Sequence, residues 1–237
     1  MRVAEYGASR RADVADLMGR VWGTRPAEDE LAWFYERNPV RPASVLLAEE
    51  DGRVVGSAAI SYQPLGEETV GFAVHLATDP AHRGQGIFTK LQAANEERAR
   101  AAGVALLLTV PTDASARILT RRLGWSRLPS LRVWARALPP RAPADRVERL
   151  GDAWLDWRFA DAPRPYALYA DGTVVGRRGR ISYLARGRLG AATLALDGTP
   201  RAGYVPTPKT FTLLGKSLDG SPLPARPRLE LGDLDFV

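Results

Sequence analysis

Residues 77–88 read Ala-Thr-Asp-Pro-Ala-His-Arg-Gly-Gln-Gly-Ile-Phe, and this stretch decides how the chain folds around it. It joins a predicted strand, Glu67 to Thr78, to a predicted amphipathic helix that runs to about Ala102. Glycines at a strand-to-helix turn let the backbone approach an anion closely, because they carry no Cβ, and the unpaired N–H groups of the following helix point at that anion. The sequence therefore predicts a phosphate-binding turn at Arg83 to Phe88.

Helix and strand signals alternate on both sides of this turn, as in an α/β domain. The pattern predicts the order βααβββαβαβ over residues 1–137. The remaining elements are a strand near Arg2 to Glu5, helices at Arg10 to Trp22 and Pro26 to Asn38, strands at Ser44 to Glu49 and Arg53 to Ile60 joined by Asp51-Gly52, a strand at Val104 to Val110, a helix at Asp113 to Leu123, and a strand near Trp125 to Ala137.

Composition excludes several classes of function. The net charge is +6, but the basic residues are spread along the chain and 30 of the 33 are arginine, so we predict no nucleic-acid partner. No apolar run reaches the length of a membrane span and no signal peptide is evident, which predicts a cytoplasmic protein without a membrane partner. With no cysteine and only two histidines, neither a thiol nucleophile nor a metal centre is expected.

The C-terminal part repeats features of the N-terminal part. The proline-rich composition predicts a linker at residues 138–143, which read Leu-Pro-Pro-Arg-Ala-Pro. After it, 153–158 (Ala-Trp-Leu-Asp-Trp-Arg) resembles 32–37, and 171–176 (Asp-Gly-Thr-Val-Val-Gly) resembles 51–56. A chance match is the alternative, but two matches in the same order favour duplication.

Residues 144–237 are accordingly interpreted as a degenerate half-domain. It lacks a copy of the glycine turn, so no second cofactor is expected. Strands are predicted near Tyr166 to Ala170, Thr173 to Ala185 and Ala191 to Leu196.

Two other glycine motifs are possible at 83–88 and both fit poorly. A dinucleotide-binding turn needs a third glycine where the chain has Thr89, and an acid at the end of the next strand, which Val104 to Val110 lacks. A Walker loop needs Gly-Lys-Ser/Thr, which is absent.

The segment 77–87, the buried strand and the helix end at Leu123-Gly124-Trp125 together resemble the GNAT N-acetyltransferase superfamily. The resemblance covers about residues 1–137 and implies a mixed, mostly antiparallel central sheet flanked by helices, here with a smaller C-terminal α+β half-repeat. It also implies that acetyl coenzyme A binds at the turn. The implied cofactor-binding residues are Leu76, Ala77 and Thr78 for the pantetheine arm, Arg83, Gly84, Gln85, Gly86, Ile87 and Phe88 for the pyrophosphate, and Asp113 and Thr120 on the opposite wall.

The chain departs from the family pattern at three positions. Ala81 stands where glutamine or arginine is usual, and Asp113 and Thr120 stand where asparagine and tyrosine are often found. The tyrosine commonly acts as the general acid for the departing thiolate. Thr120 cannot replace it, because an aliphatic hydroxyl is a far weaker acid than a phenol.

Acetyl transfer to an amine needs a base, since an alkyl ammonium must first lose a proton. Glu67, Glu68, His75 and Asp113 are the candidates, and Asp113 acting through water is preferred. His75 has the most suitable ordinary pKa, and strand alternation sets it opposite Val74 and Leu76 unless a bulge changes its direction. Asp113 also fits a helix cap. The acceptor is expected near Trp22, Trp33, Tyr35 and Glu36.

The predicted function is direct transfer of an acetyl group from acetyl coenzyme A to a small-molecule amine, such as an aminosugar, an antibiotic or a metabolite. The absence of cysteine argues against a thioester intermediate on the enzyme. The alternatives are a non-catalytic acyl coenzyme A-binding module, and longer-acyl transfer or decarboxylation in the same site. The sequence leaves monomer and homodimer equally open.

Overall fold

The computed structural model describes residues 1–135, 145–169, 173–178, 181–186, 194–196 and 205–225, together with residues 227 and 229. The helices are α1 Arg11–Trp22, α2 Glu28–Glu36, α3 Ile87–Ala101, α4 Asp113–Arg122 and α5 Ala153–Leu155, which continues as a π-helical turn Asp156–Ala160. The strands are β1 Arg2–Glu5, β2 Ser44–Glu50, β3 Arg53–Leu65, β4 Glu68–Thr78, β5 Leu106–Thr109, β6 Ser126–Ala135, β7 Asp145–Arg146, β8 Tyr166–Leu168, β9 Val174–Arg178, β10 Ile181–Arg186, β11 Leu194–Leu196 and β12 Val205–Ser217.

The chain divides into two compact units. The first contains Met1–Arg127 and Leu214–Leu223, and the second contains Leu128–Leu213 and Pro224–Val237. The predicted linker 138–143 lies outside the described residues, and the predicted domain boundaries stay a prediction.

The first unit is built on a sheet in the order β1-β2-β3-β4-β5, followed by residues 214–217 of β12. Neighbouring strands are antiparallel except β4 and β5, which are parallel. The predicted hairpin between β2 and β3 is present, because Asp51 and Gly52 both adopt the positive φ angles, 48° and 77°, that a tight hairpin turn requires. The predicted fold class, a mixed, mostly antiparallel sheet flanked by helices, is confirmed.

Helix α3 packs directly on this sheet, and one glycine makes its approach possible. A Cβ at Gly56 of β3 would lie 2.6 Å from Cγ2 of Ile87, the first residue of α3. Ile87 and Leu91 are buried there among Leu46 and Val55. This contact fixes the N-terminal end of α3 beside the end of β4, where the glycine turn lies.

The second unit contains the strand neighbours β6-β11-β10-β9-β8-β7. The predicted single strand from Thr173 to Ala185 is wrong, because this stretch forms two antiparallel strands, β9 and β10, with Ile181 opposite Arg178. The sequence also did not predict β12, whose first part lies next to β6 and whose Thr207 hydroxyl donates to the Val133 carbonyl oxygen over 2.8 Å. None of the helices in the described part of the chain has the length and apolar character that a bilayer-spanning helix needs.

Candidate active site

The glycine turn presents an open helix N-terminus. Gly84 and Gly86 adopt left-handed φ angles of 81° and 75°, and Gly86 is the N-cap of α3 without a side-chain cap hydrogen bond. A Cβ added to either glycine would meet no atom within 4 Å, and residues 83–86 are all exposed. The first N–H groups of α3 therefore have no side-chain cap from residue 86, next to an exposed glycine turn, which is the arrangement that binds phosphate in proteins.

A gap opens between β4 and β5 beside this turn. The register of the two parallel strands contains two pairs, Gly71 with Leu107 and Phe72 with Leu108. The Thr109 side-chain hydroxyl donates to the Ala73 carbonyl over 2.7 Å and closes the base of the gap. Beyond it β5 ends, while β4 continues to Thr78 alongside β3. The end of β4, residues 76–78, thus lies past the last pair that β4 makes with β5.

A β-bulge lies in this part of β4. Ser57 is opposite Ala77 and Ala59 is opposite Val74, so His75 and Leu76 share the place opposite a single residue of β3. His75 takes a φ of 51°, which is rare for a residue with a side chain, and the Ser57 hydroxyl donates to its carbonyl oxygen over 3.2 Å. Such strained backbone is concentrated at functional sites.

The bulge sends two neighbouring side chains to different surroundings. Leu76 packs against the clusters that include α3 residues, whereas the imidazole of His75 packs among aromatic rings of α1 and α2. The ring centroids of Phe34 and Trp22 lie 4.9 and 5.8 Å from the imidazole. The Tyr35 hydroxyl is 2.9 Å from His75 Nδ1. The structure therefore brings together three predicted site residues, Trp22, Tyr35 and His75.

These residues differ in what they offer to a ligand. Phe34 and Tyr35 are buried, at 4% and 1% exposure, while Trp22 is 48% exposed and His75 is half-buried. Trp22 is thus the open aromatic wall of this cluster, and Tyr35 is the inner hydrogen-bond partner of the imidazole.

Trp33 and Glu36 occupy different places on α2. Trp33 is buried, with its ring 5.9 Å from that of Phe34. Glu36 is exposed and accepts hydrogen bonds from Arg11 (2.8 and 2.9 Å) and from the Tyr6 hydroxyl (2.8 Å). Partial burial raises the pKa of Glu36, but these hydrogen bonds outweigh it, so that the pKa lies below its usual value.

The remaining predicted residues lie on other elements. Asp113 is an exposed residue in the first turn of α4, where the cap is the neighbouring Thr112, whose hydroxyl accepts from the Ser115 N–H. The Thr120 hydroxyl donates to the Ala116 carbonyl over 2.8 Å, within its own helix. Glu68 is exposed and pairs with Leu65 at the far end of β4 from the bulge, so the structure does not bring it to His75.

Sequence reasoning missed three residues of this region. Phe34 lies in a run of buried residues, 31–35, in which the helical period does not show which face meets the site. Tyr6 packs edge-on against Tyr35 at 5.2 Å, and no local signal announces this contact. Asp79 caps the 3-10 turn Pro80–His82 by accepting from the Ala81 N–H over 3.1 Å, which the Asp-Pro dipeptide could have suggested.

Comparisons with known proteins agree with this geometry. Residues 11–125 match the Acetyltransferase (GNAT) family, a stretch that contains the glycine turn, the bulge and α4. The search of curated proteins gave no significant match.

Several solved structures share the fold. A putative acetyltransferase from Pyrococcus horikoshii is 10% identical, with a TM-score of 0.64 over 91% of this chain and 89% of that one. A GCN5-related N-acetyltransferase from Kribbella flavida is 15% identical, with a TM-score of 0.64 over 92% and 72%. A putative acetyltransferase from Salmonella typhimurium, solved with its cofactor acetyl-CoA, is 15% identical, with a TM-score of 0.53 over 94% and 97%.

Residues 11–125 are thus similar to the Acetyltransferase (GNAT) family, and the solved structures share the fold of the chain.

Proposed function

We propose that this protein binds acetyl coenzyme A with its pyrophosphate at Arg83 to Phe88 and its pantetheine arm along Leu76 to Thr78. The uncapped N-terminus of α3 and the two left-handed glycines support the first contact. The part of β4 that extends past the end of β5 supports the second, because its backbone can pair with the amides of an extended ligand. When bound, acetyl coenzyme A supplies the acetyl group as a thioester.

The backbone at the bulge is suited to polarise the thioester carbonyl. The bulge shifts the register between β3 and β4 over His75 and Leu76, so the N–H of Leu76 or Ala77 is proposed to point at an oxygen on which negative charge develops. No side chain is needed for this role. Asp113 and Thr120 are proposed to line the opposite wall from α4.

His75 is the proposed proton acceptor for the attacking amine, in preference to Asp113 and Glu68. In the tautomer with the proton on Nδ1, that N–H donates to the Tyr35 hydroxyl oxygen and the lone pair lies on Nε2. The acceptor first loses its ammonium proton to solvent; as the neutral amine nitrogen then bonds to the acetyl carbon and the C–S bond breaks, the imidazole takes one proton from that nitrogen and coenzyme A leaves as the thiolate, which solvent protonates. Placement of His75 at the bulge is the observation that carries this assignment.

The acceptor is proposed to be a small-molecule amine that lies against Trp22. Trp22 is 48% exposed and its ring centroid lies 5.8 Å from that of the imidazole, and an ammonium group is attracted to the face of an indole ring. Tyr35 then acts through His75, and the buried Trp33 supports the cluster from behind. Glu36, bound to Arg11 and Tyr6, would contribute negative charge at the rim of the site.

We also propose a tandem organisation, with a GNAT domain at 1–137, a linker at 138–143 and a degenerate half-domain at 144–237. In support, α5, β8 and β9 follow one another as α2, β2 and β3 do, and both strand pairs are antiparallel. The matching glycines are both closely packed, Gly56 against Ile87 of helix α3 and Gly176 against its cross-strand neighbour Tyr183 of β10.

The experiment measures thiol release from acetyl coenzyme A with a panel of amines, as a function of pH. We expect turnover with at least one amine, a rate that falls at low pH because general-base catalysis needs an unprotonated base, and a loss of about 10² to 10⁴ in rate with His75→Gln. His82→Gln removes the only other histidine of the sequence; because His82 lies in the turn before the glycines, 3.5 Å from Asp79, this variant is expected to change the affinity for acetyl coenzyme A and not the rate at saturating cofactor.

Each other outcome assigns the site differently. If Asp113→Asn loses rate and His75→Gln keeps the rate of the unaltered protein, Asp113 is the general base. Tight coenzyme A binding without release for any amine would favour the non-catalytic module, and release from longer acyl thioesters alone would favour longer-acyl transfer.

A further inference from the structure

The segment that leads into the glycine turn accepts and donates hydrogen bonds through Asp79, and the carboxylate of Asp79 is also bound by Arg20 of helix α1. Asp79 is 7% exposed and lies between β4 and the 3-10 turn that leads into Arg83. Its Oδ1 accepts from the Ala81 N–H over 3.1 Å, and its Oδ2 accepts from Arg20 Nε over 2.8 Å. Arg20 belongs to α1, two residues before Trp22.

Arg20 also contacts the sheet, so its position is fixed at two points. Its second nitrogen donates to the Val54 carbonyl over 3.0 Å, and the neighbouring Val55 carbonyl accepts from the Asp79 N–H over 2.9 Å. The guanidinium thus joins α1, β3 and the start of the turn. Burial raises the pKa of Asp79, but the hydrogen bonds from Arg20 and from the Ala81 N–H, together with the nearby imidazole of His82, outweigh it, so the carboxyl group stays ionised near neutral pH.

Two contacts therefore connect the same pair of elements. At one point Trp22 of α1 packs on His75 of β4, and at the other Arg20 of α1 binds Asp79 at the end of β4. A shift of α1 that alters the acceptor wall must also pull on the carboxylate that sets the turn. The same shift cannot leave the cofactor cradle unchanged.

We propose that Arg20 is a positioning residue, which sets the cofactor turn through Asp79 and couples occupancy of the acceptor side to affinity for acetyl coenzyme A. The proposal rests on the proposed function, because it assumes that the turn binds acetyl coenzyme A. Neither residue needs to touch the reacting atoms. Conservative replacement with lysine would keep the charge but lose the two-point hydrogen bonding of the guanidinium.

The test measures the dissociation constant of acetyl coenzyme A by calorimetry for the whole protein and for Arg20→Met, Arg20→Lys, Asp79→Asn and the double variant Arg20→Met/Asp79→Asn. We expect about a tenfold loss of affinity in Arg20→Met, within the usual range of coupling between sites. Asp79→Asn should lose a similar amount, and the double variant should lose no more than either single one, because both remove the same contact. Arg20→Lys should recover little.

Arg25→Met is the matched control. Arg25 lies just beyond α1 and its Nε is 2.6 Å from Asp16 of that helix, but both side chains are about half exposed and neither leads to the turn. Its affinity for acetyl coenzyme A should match the unaltered protein. Urea midpoints measured on all variants separate a loss of folding from a loss of positioning.

Three outcomes would overturn the proposal. The first is that Arg20→Met binds acetyl coenzyme A as tightly as the unaltered protein. The ion pair would then have at most a structural role, whether or not the urea midpoint falls. Losses that add in the double variant would show independent roles. Affinity that falls equally in Arg25→Met would show a general charge effect. If the unaltered protein itself fails to bind acetyl coenzyme A, the proposed function fails instead.

Discussion

A buried ion pair holds the last strand segment of the first unit in place, and its removal gives the sharpest stability prediction. Glu96 of α3 is 3% exposed, and its Oε2 is 2.5 Å from Lys216 Nζ of β12. Its Oε1 accepts from Trp125 Nε1 over 2.7 Å and from Gln92 Nε2 over 3.2 Å. The same ammonium donates to the Leu123 carbonyl over 2.6 Å.

Glu96→Gln keeps the shape of this side chain and removes its charge. The Lys216 ammonium, with 20% of its side chain exposed, then lacks its counter-charge. Breaking one partner out of a buried pair costs about 3–5 kcal/mol of unfolding free energy. With a urea m-value of about 2–3 kcal/mol per molar for a protein of this size, the midpoint should fall by about 1–2.5 M.

The assay is urea unfolding followed by tryptophan fluorescence and far-ultraviolet circular dichroism. Glu97→Gln is the matched control, because Glu97 is the next residue, has 72% of its side chain exposed and forms its ion pair with Arg100 at the surface, so it removes one negative charge near Lys216 without touching the buried contact. It should leave the midpoint almost unchanged. Glu96→Gln/Lys216→Met should recover much of the loss, since it removes both buried charges. A Glu96→Gln midpoint equal to that of the unaltered protein would refute the reasoning.

Two further predictions concern packing and pH. Gly71→Ala places a Cβ 2.5 Å from Leu107 Cδ2, where β4 and β5 separate, so the unfolding free energy should fall by about 1–3 kcal/mol. Gly7→Ala is the control, because a Cβ there meets no atom within 4 Å and should change the unfolding free energy little. Equal urea midpoints for the two variants would contradict this prediction. Burial first, and then the hydrogen bond to Glu36, raise the pKa of Tyr6 to about 12, above the value of about 10 in the unfolded chain. The stability that this pKa shift contributes is present below pH 10 and is lost between about pH 10 and 12. The unfolding free energy, measured by urea unfolding, should therefore drop over that pH range. If Tyr6→Phe shows the same full drop, the drop does not come from Tyr6.

The sequence predicted the first ten elements because their signals are local. Asp51-Gly52, Gly84 and Gly86 each need a positive φ, and glycine or Asp-Gly announces it directly. The second part of β12 was missed because residues 214–217 pair with β5, more than 100 residues away, and the prolines at 206 and 208 argue against a strand. Lys216 likewise has no local feature that indicates a buried partner.

The site was predicted in outline but not in its roles. The direction of the His75 side chain depends on a bulge in β4 opposite β3. The sequence around His75 does not show the register in which β4 pairs with β3, so it could not predict this bulge. Asp113 fitted a helix cap, yet Thr112 takes that place because its hydroxyl reaches the Ser115 N–H. Trp33 and Tyr35 both lie in the buried run of α2, and only the packing of α2 shows that Tyr35 is the one that meets His75.

The central claim is that the glycine turn binds acetyl coenzyme A, and two matched glycines test it most directly. Gly86 and Gly103 lie at opposite ends of α3 with φ angles of 75° and 78°, and neither has an atom within 4 Å of an added Cβ. Alanine therefore imposes similar backbone strain at both. By calorimetry, Gly86→Ala should weaken acetyl coenzyme A binding by about tenfold or more, equivalent to about 1.4 kcal/mol, while Gly103→Ala should bind as the unaltered protein does. Equal affinities for the two variants would contradict the claim.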